Sequence, residues 1–188
     1  MARPNGPPSL GLLRTPSTLS ITCAAVEAAL LNPARMAEPN SSRKKPRMTV
    51  LYSTKVAATG GRKGKIRSED NTLDLRLTIP KELGGTGEAT NPEQLFAGGY
   101  AASFENAVLR VARQSGHRFA DGDVTVVAEI GLSRNEPDVL VLHAALVISI
   151  AGVDQPTAEQ LVRGADAICP YSTAIQGNVD VHKTVVTR

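Results

Sequence analysis

TNPEQLFAGGYAASFENAVLRVARQ, residues 90–114, is the stretch from which the rest of the chain can be read. Asn91 is a helix-capping residue type, Pro92 suits the first helical position, and Glu93 favours the positive end of the helix dipole. Helical pattern then runs to about Gln114, with Arg110 and Arg113 near its end and Gly98-Gly99 as a weak point. Up to Glu105 the helix is apolar over most of its circumference, which predicts burial in a core or an interface. Ser103 is a lone hydroxyl in that apolar half. It reads as packing, as a nucleophile, or as the stand-in for another residue.

Outward from this helix the pattern is β-rich. Thr49–Ala58, rich in Val, Tyr and Thr, reads as a strand. The turn Gly60-Gly61-Arg62-Lys63-Gly64 leads to Lys65–Ser68, and Glu69-Asp70-Asn71 makes a second turn. Leu73, Leu75 and Leu77 alternate with Asp74, Arg76 and Thr78, the period of a half-buried strand. After the helix, Val124–Leu132 and Val139–Ile150 form a hairpin joined by the polar Ser133–Asp138. A second helix runs from Asp154–Pro156 to about Ile168, where Pro170 stops it, and Val179–Thr187 alternates as a last strand. The order βββ-α-ββ-α-β places the chain in the α+β class.

The 188 residues suit one domain plus a tail. Residues 1–47 hold seven prolines and carry a net charge of +5, whereas 48–188 carry −2. The basic character belongs to the tail, so the folded part lacks the basic face that nucleic-acid binding needs. The tail reads as a disordered Pro-rich arm. Its Arg- and Ser-containing, acid-poor composition also fits an organelle transit peptide, and Met36 or Met48 could be the true start. Residues 20–31 could form a short helix, and Arg43–Arg47 is a solvated charge run or a targeting signal. No apolar run approaches the roughly 18 residues of a membrane span, so no membrane partner is expected. Scarce aromatics and no tryptophan predict an aliphatic core. Two cysteines, Cys23 and Cys169, cannot build a disulfide framework or a Cys-rich zinc site, and a reducing, cytoplasmic setting is the default.

His117, His143 and His182 show no metal spacing, and Gly84-Gly85-Thr86-Gly87 lacks the Lys-Ser/Thr ending of a phosphate loop. Four residues remain as candidates. Arg62 lies in a glycine-lined turn, where it is a solvated charge or reaches a neighbouring site. Glu93 is a dipole-favouring surface acid or a site carboxylate. Cys169 is core filler or chemistry, and Ser103 is packing or chemistry. No Gly-x-Ser-x-Gly surrounds Ser103, so nothing local supports a serine hydrolase.

Taken together, Gly60-Gly61-Arg62-x-Gly64, Glu82-Leu83-Gly84-Gly85, Thr90-Asn91-Pro92-Glu93-Gln94-Leu95-Phe96-Ala97-x-Gly99-Tyr100, Cys169-Pro170-Tyr171-Ser172-x-Ala174 and Gly177-Asn178-Val179-Asp180-Val181 form an ordered series. It closely resembles the organic hydroperoxide resistance (Ohr) proteins of the OsmC/Ohr superfamily, over essentially all of 48–188 and none of the tail. The resemblance implies an intertwined homodimer with antiparallel sheets around two main helices. It implies a thiol peroxidase acting on organic or lipid hydroperoxides, with no bound cofactor and with a lipoylated protein or other external dithiol as reductant. The implied roles fall on Arg62 as activator of the thiolate, on Glu93 as its holder and on Cys169 as the resolving cysteine. The peroxidatic position, ten residues after Glu93, falls on Ser103.

That substitution matters chemically. A thiol near a cation ionises at neutral pH and reduces a peroxide by taking its oxygen to become a sulfenic acid. A serine hydroxyl has no comparable oxidation. Three readings stay open: an ordinary enzyme altered at one position, a natural paralogue that binds hydroperoxides or lipids without turnover, or a one-cysteine peroxidase using Cys169. Ten helical residues span about 15 Å, too far for Glu93 and Ser103 to share one arginine. Either a break or kink at Gly98-Gly99 or a site built across the dimer is therefore expected.

Overall fold

In the computed structural model, which describes residues 49–136 and 139–188, Asn91 opens helix α1 (Pro92–Gln114) as its residue type predicts. Its side-chain oxygen accepts the Gln94 N–H at 2.9 Å. The expectations placed on residues 1–47, on Met48, on Cys23 and on Pro137-Asp138 lie outside the described residues.

Helix α1 runs for 23 residues without interruption, so the expected break at Gly98-Gly99 is not there. Glycine lacks a side chain but keeps its N–H, so it weakens a helix without removing a rung of its ladder. Gly98 faces open space, and Gly99 is covered by Tyr171. The second glycine is a seat for a ring rather than a hinge.

The second sheet is built on the hairpin of β4 (Val124–Glu136) and β5 (Val139–Ile150), paired antiparallel from Val124↔Ile150 to Leu132↔Leu142 and beyond. Strand β4 continues through most of the segment expected to be its connection, with a register shift between Arg134 and Glu136. Asp154 then caps α2 (Gln155–Ile168), accepting the Thr157 N–H at 2.9 Å. Pro170 ends that helix as expected, but it also begins another, the short α3 (Pro170–Ile175). The last strand, β6 (Val181–Thr187), pairs with β5 in parallel, which corrects the all-antiparallel expectation. The two helices carry the chain back before β6 begins, so it enters the sheet in the same direction as β5.

Tyr100, Phe104 and Val108 recur at four-residue intervals along α1 and bury their side chains completely. They pack in one cluster with Leu146, Ile148 and Ile150 of β5 and with Ala158, Val162 and Ala165 of α2. The core is thus largely aliphatic, but two aromatic side chains sit at its centre, which composition did not foresee.

The first sheet is different. Strands β1 (Val56–Thr59), β2 (Lys65–Ser68) and β3 (Asp74–Arg76) pair antiparallel in that order. Strand β1 starts at Val56, later than expected, because pairing with β2 begins only at Val56↔Ser68. Every residue of β1 and β3 is exposed, although half-burial was expected around Leu75. Leu77, just past β3, is buried, and it bridges to Thr90 at the foot of α1.

Asn91→Ala is expected to cost about 1 kcal/mol through the lost cap, and Phe104→Ala about 3–5 kcal/mol through the core cavity. Urea unfolding of the two variants checks both values, and equal costs would contradict this layout.

Candidate functional site

Arg62 sits in a single 3-10 turn, Gly61–Lys63, between β1 and β2. Gly60 has φ +76°, which glycine adopts without strain. A Cβ on Gly64 would stand 1.7 Å from the Thr59 carbonyl oxygen, so only glycine closes this turn. The turn aims the guanidinium at Glu93 in the first turn of α1. Arg62 Nη1 donates to Glu93 Oε2 at 2.8 Å and Nη2 donates to Oε1 at 2.6 Å. This is the two-pronged geometry that makes arginine–carboxylate pairs strong. The hydrogen bonds from Arg62 hold the Glu93 carboxyl below its ordinary value, against a smaller opposing effect of burial. Reciprocally, the Glu93 carboxylate raises the already high pKa of Arg62.

Ser103 is half-buried near the middle of α1, and its Oγ lies 3.5 Å from Cys169 Sγ. Cys169 is fully buried and its thiol is free. Its backbone is extended, at φ −69° and ψ 121°, because a residue before proline is driven out of the helical region. Cys169 is therefore the joint between α2 and α3. Its N–H still bonds to the Ala165 carbonyl at 2.8 Å, and its own carbonyl accepts the Thr173 N–H at 3.0 Å.

The four candidate residues thus form two pairs, Arg62 with Glu93 and Ser103 with Cys169. Among the described residues no side-chain hydrogen bond joins one pair to the other. The uninterrupted helix separates residues 93 and 103 by about 15 Å of rise. Between them lies an aromatic group that sequence reasoning did not assign to the site. Tyr171 stacks on Tyr100 with centroids 5.9 Å apart and rings 15° from parallel. Phe96 meets both rings edge-on, and Phe104 continues the group beyond Tyr100. Tyr100 and Ser172 share a buried hydroxyl–hydroxyl bond of 2.9 Å. Burial pushes the Tyr100 hydroxyl above its usual pKa. The i, i+4, i+8 spacing of residues 96, 100 and 104 was the sequence signal for this group.

Glu93 also borders a cleft of about 450 Å³, walled by Pro80, Leu83, Ala97 and Ile130 among others. A cavity of about 570 Å³ between α2, α3 and β6 has none of the four candidate residues on its wall. Among the described residues no three His, Cys, Asp or Glu side chains are grouped to hold a metal ion. His143 and His182 are exposed, as expected, and His143 Nε2 hydrogen-bonds Ser133 Oγ.

The Arg62–Glu93 pair has a pH signature. Because the folded carboxyl is depressed, its contribution is complete above the ordinary value of 4.5 and disappears as pH falls through the lower folded value. Glu93→Gln is expected to be less stable than the parent chain at pH 7, with the gap closing below pH 4.5. Thermal unfolding across pH checks this, and a pH-independent gap would contradict it.

Comparison with known proteins shows the family to which this fold belongs. A family model described as "OsmC-like protein" matches residues 85–183. The organic hydroperoxide resistance protein of Xanthomonas axonopodis pv. citri (strain 306) is 42% identical over 137 residues, which cover 72% of this chain and 95% of that protein. The organic hydroperoxide resistance protein OhrB of Bacillus subtilis (strain 168) is 41% identical over 134 residues, covering 70% and 95%. The crystal structure of an organic hydroperoxide resistance protein from Legionella pneumophila superposes with a TM-score of 0.70 at 46% identity, covering 73% of this chain and 99% of that one. Among the described residues, no helix is long and apolar enough to cross a membrane. With the mixed fold, the family model and these relatives in agreement, the chain belongs to the OsmC/Ohr family, in its organic hydroperoxide resistance branch.

Proposed function

We propose that this chain provides the hydroperoxide-binding scaffold of an Ohr peroxidase, with Ser103 at the peroxidatic position and Cys169 at the resolving position. The contact of 3.5 Å between Ser103 Oγ and Cys169 Sγ carries this reading. A peroxidatic and a resolving residue must be near enough to join, and these two are neighbours although 66 positions apart in the chain. Arg62 and Glu93 take the polar head of an organic or lipid hydroperoxide, and the apolar cleft beside Glu93 takes its hydrocarbon part. Bound in this way, the ligand is not turned over, because no sulfur stands at position 103. The one-cysteine alternative is disfavoured by the complete burial of Cys169, which a peroxide cannot reach.

The site is completed by a second copy of the chain. The rigid spacing along α1 keeps the two pairs of one subunit apart, and the sheet β1–β3 presents Val56 and Leu75 to solvent where a partner would cover them. An intertwined dimer lets the Arg62–Glu93 pair of one subunit approach the Ser103–Cys169 pair of the other. A free thiol fits a reducing, cytoplasmic location.

With a thiolate at position 103 the chemistry balances in two steps. The sulfur takes the distal peroxide oxygen, the O–O bond breaks, and the alcohol leaves after taking up a proton. The Cys169 thiol then attacks the sulfenic sulfur, forming a disulfide and releasing water. An external dithiol, such as that of a lipoylated protein, restores both thiols.

The parent chain is expected to show no turnover of cumene hydroperoxide with dihydrolipoamide. Ser103→Cys is expected to turn over, and Ser103→Cys with Arg62→Ala to lose most of that rate. Peroxide consumption reads all three, and turnover by the parent chain that survives Cys169→Ala would overturn the proposal.

A further inference from the structure

The string Cys169-Pro170-Tyr171-Ser172 marks the family, yet the chemistry above uses only its sulfur. Pro170 turns Cys169 out of α2, which leaves the sulfur on a short joint whose position depends on how α3 docks. Two successive residues make that docking. The Tyr171 ring lies flat on Tyr100 and meets Phe96 edge-on at 5.9 Å. Its hydroxyl comes down over Gly99, where a Cβ would stand 2.8 Å from Oη and 3.3 Å from Cζ. Ser172 Oγ bonds the Tyr100 hydroxyl at 2.9 Å, and both residues are buried. Gly99 and Tyr100 lie four and three residues before Ser103, on the neighbouring turn of the same helix. The contacts that seat α3 are therefore one turn from the atom that Cys169 must reach.

We propose that Tyr171 and Ser172, seated on Gly99 and Tyr100, form a clamp that sets the position of the Cys169 sulfur relative to residue 103. The proposal rests on reading residue 103 as the peroxidatic position. These are positioning residues, since none of them has to touch the peroxide. Position matters because a disulfide tolerates only a narrow range, with Cβ atoms about 3.5–4.5 Å apart. A shift of α3 by an ångström or two leaves oxygen transfer to residue 103 intact and obstructs disulfide closure. Gly99 is the sensitive point. Tyr171 is 37% exposed, so its ring can yield to a methyl there, but only by giving up its stack on Tyr100 and its edge contact with Phe96.

The test uses the full chain carrying Ser103→Cys and follows two events after one equivalent of cumene hydroperoxide. Peroxide consumption reports sulfenic acid formation, and a disulfide between position 103 and Cys169, mapped by mass spectrometry so that Cys23 is told apart, reports closure. Adding Gly99→Ala is expected to leave consumption within about twofold and to slow closure about tenfold, since the added methyl displaces the Tyr171 ring and with it α3. Adding Tyr171→Phe as well removes the closest colliding atom and is expected to restore most of the closure rate. Tyr171→Ala, which adds no atoms, is expected to slow closure to a similar degree and covers the case in which Gly99→Ala does not fold. If Ser103→Cys closes normally and both Gly99→Ala and Tyr171→Ala match it, the clamp is overturned and the reading of position 103 stands. If Ser103→Cys consumes peroxide but never joins Cys169, the reading of position 103 is overturned and the clamp with it.

Discussion

An α-helix fixes the distance between any two of its residues, and α1 is the ruler on which this protein is laid out. It carries Glu93 near its start, the Gly99-Tyr100 seat in its first half and Ser103 near its middle, on 23 unbroken residues. Nothing else need hold these points in register, since 1.5 Å per residue does so. The other elements are attached to marks on that ruler. The Arg62 turn is tied to residue 93 by two hydrogen bonds, α3 is seated on residues 99 and 100, and Cys169 is brought to residue 103. The same rigidity sets the arginine turn and the sulfur at separate marks along α1.

Much of this could be read from the residues. The Asn-Pro-Glu start, the two long helices and the β4–β5 hairpin follow from capping chemistry and apolar period, which act locally. Failures cluster where the deciding partner is distant in sequence. Thr49–Ala58 has strand composition, but pairing with β2 decides where the strand begins. Gly98-Gly99 looks like a hinge until Tyr171, more than 70 positions away, is seen lying on it. The direction of β6 depends on the crossover made by α2 and α3, and no residue within β6 signals it.

The site was legible by a different route. Arg62, Glu93, Ser103 and Cys169 each have a bland reading when taken singly, and only the ordered series of short strings lifted them out. The structure supplies what the strings could not, namely that they meet in pairs. Physical reasoning adds what neither resemblance nor geometry contains, that oxygen at position 103 cannot do the work of sulfur. Tyr100, Tyr171 and Ser172 were quoted as part of those strings and given no task, because the helical spacing that marks Phe96, Tyr100 and Phe104 does not reveal their contacts with residues some 70 positions away.

The parallel pairing of β5 with β6 also bears on how the molecule assembles. The β4–β5 hairpin closes a short loop and is cheap to form early. Strand β6 must instead wait for α2, α3 and the turn after them, so the last side of the core closes late. Until then the cysteine at the joint between the two helices has no finished interior around it. Enclosure of that sulfur is thus tied to a pairing between segments far apart in the chain rather than to the local hairpin.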